Sequence, residues 1–135
     1  MLHLHTYLAF NGQCAAAFHH YEKVLGGKIE MMMTHGESPM KDQTPAEWRD
    51  RIMHASLVVG DQRLLGADRP PQFQGPNEGF SVSISLDDPA KAEQIFNGLA
   101  DGGNVRMPLQ KTFWAAAFGM LVDRFGIPWM VNCEA

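Results

Sequence analysis

The side chains able to do chemistry fall in three places along the chain. In the opening segment HLHTYLAF, residues 3–10, His3 and His5 stand two apart. On a strand that spacing projects both imidazoles from one face, about 7 Å apart at Cα and compatible with sharing a metal. Tyr7 follows them on the same face. In MHASLVVGDQRLLGAD, residues 53–68, His54 and Asp68 bracket a pair of apolar runs. A neutral imidazole and a carboxylate at the mouth of an enclosed cavity form an acid–base pair when burial and mutual attraction tune them. His5, His54 and Asp68 are therefore the catalytic candidates, and His3, His5 and His54 the one set of imidazoles from which a metal site can be drawn. Each has a plainer reading: His3 solvated near the terminus, His5 hydrogen-bonded in a pocket, His54 bonded to a backbone carbonyl, and Asp68 capping the turn before Pro70.

The third place is aromatic. Phe113 and Trp114 adjoin near the end of the chain, and Trp48 lies with Met40 on a loop. Aromatic and methionine surfaces suit an apolar ligand. The ligand-binding candidates are accordingly Tyr7, Phe113, Trp114 and Trp48, whereas Trp129, on a strand after Gly126 and Pro128, reads as core. Met31, Met32 and Met33 alternate between faces and read as core filling. His19, His20, Glu22 and Lys23 form the solvated face of a helix. Cys14 and Cys133 have no neighbouring His or Lys pattern that would activate a thiolate. Two cysteines build neither a disulfide framework nor a four-thiolate metal site, and they suit a reducing cytoplasm.

With 135 residues the chain fits a single domain, burying roughly two-thirds of its unfolded surface. Eleven Lys and Arg against fifteen Asp and Glu give a net charge of -4 without a basic run, so nucleic acid and anionic membranes are poor partners. No apolar stretch approaches the ~20 residues of a membrane-spanning helix, and the start lacks a basic segment leading into an apolar one. The expectation is a soluble, cytoplasmic protein.

Positioning these residues falls to a repeated unit. Residues 3–10 alternate as a strand. Asn11 is placed to cap a helix whose stripe is Cys14, Ala17, Phe18, Tyr21 and Leu25, stopped by Gly26 and Gly27. Residues 28–35 resume a strand. A loop with prolines and charges follows, in which Thr44 and Glu47 have capping-box spacing around Pro45 and predict one short helical turn carrying Trp48. Residues 53–68 read as a hairpin about Gly60 and Asp61. After a linker at about 69–78 the pattern restarts: FSVSISL, a helix capped by Asp88 and opened by Pro89, then Gly102 and Gly103, then strands in VRMPLQ, AAFGMLVD and PWMVN. Strand, helix and glycine pair recur at an offset of about 76 positions. The fold class is α+β: two βαβββ modules, about 1–70 and 79–135, forming curved mixed sheets around a shared cavity with the helices outside.

This order, with the segments LHTYLAFNGQCAAAFHHYEKVLGG, MHASLVVGDQRLLGAD and FWAAAFGMLVDRFGIPWMVN, resembles the vicinal oxygen chelate superfamily of glyoxalase, bleomycin-resistance and dioxygenase proteins, and within it the PhnB-like branch. D-x-F-G-x-x-W, residues 123–129, is the most distinctive piece; Ala115 stands where that branch usually has glycine. The resemblance implies four cavity positions for a divalent metal, on the first and last strands of each module, here near His5, Gly66, Ser81 and Met130. One imidazole, a glycine, a neutral serine and a soft thioether do not make a zinc, nickel or iron site. The expectation is a metal-free, small-molecule-binding protein akin to the bleomycin-resistance group, with a divalent transition metal as the alternative cofactor. The rival function is an isomerase- or lyase-type enzyme using His5, His54 and Asp68. A methyltransferase label sometimes given to the branch finds no glycine-rich nucleotide loop here. The superfamily also implies a homodimer.

Overall fold

The computed structural model describes residues 1–134 and divides the chain into two compact units, Met1–Gly75 and Pro76–Ala135. Each is a four-stranded mixed sheet with one helix, as the sequence predicts.

In the first unit, β1 (Thr6–Phe10), α1 (Cys14–Leu25), β2 (Lys28–Thr34), β3 (Ile52–Val59) and β4 (Gln62–Asp68) form a sheet ordered β1-β4-β3-β2. β1 runs parallel to β4; the other pairs are antiparallel. α1 buries Cys14, Ala17, Phe18 and Tyr21, and Gly26 closes it in the left-handed conformation at φ 71°. β1 starts three residues later than the alternation predicts. Its pairing with β4 begins at Thr6 and Leu64, and Leu2 and Leu4 ahead of it are left 83% and 91% exposed.

Two predicted caps are corrected. Asn11 does not cap α1: its side-chain amide donates to the Gly75 carbonyl at 3.1 Å, and the N-cap residue, Gln13, makes no side-chain cap. The capping box sits at Thr34 and Glu37, not Thr44 and Glu47. The Thr34 hydroxyl accepts from the Glu37 N–H at 3.2 Å, and the Glu37 carboxylate accepts from the Thr34 N–H at 3.0 Å. Thr44 instead donates its hydroxyl to the Met40 carbonyl at 2.9 Å. Between β2 and β3 the chain makes three single-turn 3-10 helices, the last of which, Ala46–Trp48, carries Trp48.

The second unit repeats the plan with β5 (Val82–Leu86), α2 (Pro89–Ala100), β6 (Asn104–Gln110), β7 (Ala117–Val122) and β8 (Pro128–Cys133), ordered β5-β8-β7-β6. Here the predicted cap holds: the Asp88 carboxylate accepts from the Ala90 and Lys91 N–H groups, with Pro89 opening the helix. Pro108 is tolerated inside β6 because β6 is an edge strand whose ladder is interrupted between Met107 and Gln110. Ala115 occupies its position without strain: among the described residues no non-glycine has positive φ, and Ala115 exchanges two hydrogen bonds with Thr112.

The β7–β8 turn explains the motif D-x-F-G-x-x-W. One Asp123 oxygen accepts from the N–H groups of Phe125 at 2.9 Å and Ile127 at 3.0 Å, and the other from the Trp129 indole N–H at 2.8 Å. Gly126 supplies the φ of 89° that the turn requires. Trp129 is core, 1% exposed, as its position predicts.

Candidate functional site

Strand alternation and register divide each sheet into a helix-covered face and an open one. In the first unit Leu8, Phe10, Ala55, Leu57 and Leu64 are buried with α1. Gly66 shares that face and is needed there, because a Cβ on it would lie 2.8 Å from the Phe18 ring. The open face carries Tyr7 and Ala9 from β1, Leu65 and Ala67 from β4, His54 and Ser56 from β3, and Met31 and Met33, which pair with Ser56 and His54. On it the Tyr7 hydroxyl stands 3.4 Å from His54 Nδ1, with the rings 5.9 Å apart. Burial, then the neighbouring Cys14, pushes the Tyr7 phenol above its ordinary range, so it stays a neutral hydroxyl at physiological pH.

On the same face Glu30 takes both ends of the Arg63 guanidinium, at 3.1 and 3.0 Å, and accepts from the Ser56 hydroxyl at 3.2 Å. These bonds, the Arg63 pair first, hold the Glu30 carboxyl below its usual value of 4.5. A depressed carboxyl stabilises the fold above that value and loses the contribution as pH falls through the folded-state value. Glu30→Gln is expected to flatten the acid limb of a Tm-against-pH curve below about pH 4.5 by a small amount, the pair being exposed. An unchanged acid limb would remove this pair from the account.

The acid–base pair read from the sequence is not assembled. Asp68 lies on the helix-covered face, 5% exposed, whereas His54 lies on the open one. The Asp68 carboxylate is spent on backbone: Oδ1 accepts from the Gly12 and Cys14 N–H groups, each at 3.0 Å, and Oδ2 from the Ile52 N–H at 2.8 Å. It is the cap that α1 lacks, delivered from β4, and not a cap of the turn before Pro70. Burial and this carboxylate together push the Cys14 thiol far above its ordinary range, which leaves it unreactive.

The imidazole set does not converge either. His3 and His5 stack at 5.9 Å ahead of β1, while His54 meets Tyr7. Among the described residues no three of His, Cys, Asp and Glu form a group able to hold a metal. Of the four positions that the resemblance implies, Gly66 faces α1 and Met130 faces the open side, so the donor set does not fit a zinc-type ion. Trp48 is held by its own segment, its ring 5.6 Å from the Arg51 guanidinium and 6.0 Å from His35.

The second unit gathers the aromatic candidates. Phe113 packs edge-on against Trp114 at 4.7 Å, and Trp114 against Phe118 at 5.3 Å. Phe113 is 97% and Trp114 54% exposed, while Phe118, beneath Trp114, is buried. Gly119 pairs with Val131 and faces Phe96 of α2, which puts Phe118 and Met120 on the open side. There Met107, Met120 and Met130 pair directly across β6, β7 and β8 in a single row. Sequence reasoning missed Phe118, Met107 and Met120. The signal was the alternation of AFGMLV, read against which side Gly119 and Leu121 bury. On the covered side of this unit, a groove of about 550 Å³ runs between α2 and β6, lined by Glu93, Phe96, Val105 and Leu109 among others.

Comparison with known proteins matches residues 3–132 to the family described as 3-demethylubiquinone-9 3-methyltransferase. The Escherichia coli (strain K12) protein YjdN is 31% identical, over 96% of this chain and 93% of that one. The crystal structure of PA1353 from Pseudomonas aeruginosa is 50% identical with a TM-score of 0.92, over 99% of this chain and 98% of that one. The PhnB protein from Bacillus cereus, 19% identical with a TM-score of 0.80 over 98% and 100% of the two chains, shares the fold.

Proposed function

The chain belongs to the 3-demethylubiquinone-9 3-methyltransferase family, a glyoxalase-like group, and from that premise we propose that it is a PhnB-like small-molecule-binding protein. The observation that carries this reading is the open face of the second sheet. A half-exposed Trp114 packed edge-on against Phe118, beside a row of thioethers, offers an adaptable apolar surface with polar ends at Asn132 and Ser83. The ligand class is a small, flat, largely apolar molecule.

Binding is favoured over turnover because the carboxylate that would partner His54 is already saturated by three backbone donors on the far side of its sheet. Methyl transfer from a nucleotide-like cofactor is disfavoured by the same bonds. One of them occupies the first N–H group of α1, that of Cys14, at the helix end where a doubly wound fold would hold an anionic cofactor, and neither sheet is doubly wound. The test is a thermal-shift screen of aromatic small molecules, followed by calorimetry on the best binder. Trp114→Ala is expected to weaken its binding at least tenfold, with the compound recovered unchanged. Binding insensitive to Trp114, or conversion of the compound with loss of turnover in His54→Ala, would replace this reading with the isomerase or lyase one.

A homodimer belongs to the same proposal. Leu2 and Leu4 continue the alternation of buried Leu8 and Phe10 yet stand exposed beside an edge strand, and a second copy is the occupant of matching two-fold chemistry. Sedimentation equilibrium should find a dimer that the double variant Leu2→Ser, Leu4→Ser weakens at least tenfold. A wild-type monomer at micromolar concentration would end this part of the proposal.

A further inference from the structure

The second unit places its methionines on one side of its sheet only, the sulfur of the covered side being the buried Cys133 thiol. On the covered side the row across β6, β7, β8 and β5 is Val105, Leu121, Trp129 and Val82; one step along, on the open side, it is Met107, Met120, Met130 and Ser83. The same strands thus fill their helix-covered side without methionine and place three methionines in consecutive register on the face that α2 does not cover. Directly opposed residues on neighbouring strands have Cβ atoms about 5 Å apart. Methionine has three rotatable bonds beyond Cα, so the two outer thioethers can lean toward the central one and meet above it.

Three converging thioethers are a donor set with a definite preference. Neutral sulfur ligands select soft ions such as copper(I), and they disfavour zinc, magnesium and calcium, which want nitrogen, oxygen or charge. The row's neighbours on β5, β7 and β8 agree. Ser83, Ser85, Phe118 and Asn132 share its face, and all are neutral, so a divalent ion there would be desolvated without compensating negative charge. A monovalent ion pays the smaller penalty. The Trp114 ring over Phe118 adds an aromatic surface of the kind that attracts cations.

We propose that the Met107, Met120 and Met130 row is a binding site for a soft monovalent cation of the copper(I) and silver(I) class, with the three thioether sulfurs as its ligands. The site shares a face with the small-molecule surface but does not depend on it.

Silver(I) is the probe, being redox-inert, added as the nitrate in chloride-free buffer to the full chain labelled with 13C at the methionine methyls. The expected result is that the methyl resonances of Met107, Met120 and Met130 move together and saturate at one silver per chain. Met120→Leu, a volume-conserving change that spares the fold, should weaken binding at least tenfold. Three unmoved resonances, movement at Met31 and Met33 instead, or undiminished affinity in Met120→Leu would each overturn the proposal. Silver captured by Cys14 or Cys133 leaves the three methyls still and counts as the first of these. No organic ligand enters the experiment, so a failure of the small-molecule reading does not alter its outcome.

Discussion

Asp68→Ala is expected to lower the melting temperature by roughly 10–15 °C, the largest effect of any single substitution considered for this chain. Three buried or half-buried N–H groups, from Gly12, Cys14 and Ile52, lose their acceptor at once. Each stranded donor costs on the order of 1–3 kcal/mol, and partial solvation of the Gly12 corner brings the sum to about 3–5 kcal/mol. Asp68→Asn keeps the volume and one acceptor oxygen but turns an amide N–H₂ toward a backbone donor, so an intermediate loss is expected. Differential scanning calorimetry decides between this role and an acid–base one. A catalytic Asp68 would leave Tm nearly unchanged in Asp68→Asn and remove activity alone; a structural Asp68 lowers Tm in both variants.

The second large effect is at Asp123. Asp123→Ala strands the Phe125 and Ile127 N–H groups and the buried Trp129 indole N–H, with an expected loss of about 3 kcal/mol. Trp129→Phe removes the indole donor and some buried volume. Because both changes break the same bond, the double variant should be less destabilised than the two single losses added together, by about 0.5–1.5 kcal/mol. Strict additivity in urea unfolding would mean that the carboxylate–indole bond contributes nothing.

These two aspartates mark what a sequence discloses. Asp123 meets partners two, four and six positions further on, so its role is written in the local motif D-x-F-G-x-x-W. Asp68 reaches donors 56, 54 and 16 positions away, through the pairing of β4 with β1 on one side and β3 on the other. No local spacing encodes that, and from the sequence the carboxylate reads either as an acid–base group or as a cap of the turn before Pro70. The helices were legible for the first reason: their apolar stripes and terminating glycines are local, and α1 and α2 lie where those signals predict. The capping box shows the intermediate case. Thr34 with Glu37 and Thr44 with Glu47 have identical spacing, and only the first follows directly on the end of a strand, where the chain is already extended for an N-cap. The open faces were the least legible part, since a strand's alternation gives two faces without saying which one a helix will cover. Trp114 was recognised by its type; its neighbours Phe118, Met107 and Met120 emerged only from the register of β6, β7 and β8.

The central claim is that the open face of the second sheet receives a small molecule and does not transform it. It is tested most directly by intermolecular nuclear Overhauser contacts in the complex with the strongest binder from the thermal-shift screen. The account predicts contacts from the ligand to the Trp114 and Phe118 rings and to the Met120 and Met130 methyls, with the ligand's own spectrum intact after days. Contacts confined to Phe96, Val105 and Leu109 in the groove between α2 and β6, or a ligand converted to product, would contradict it.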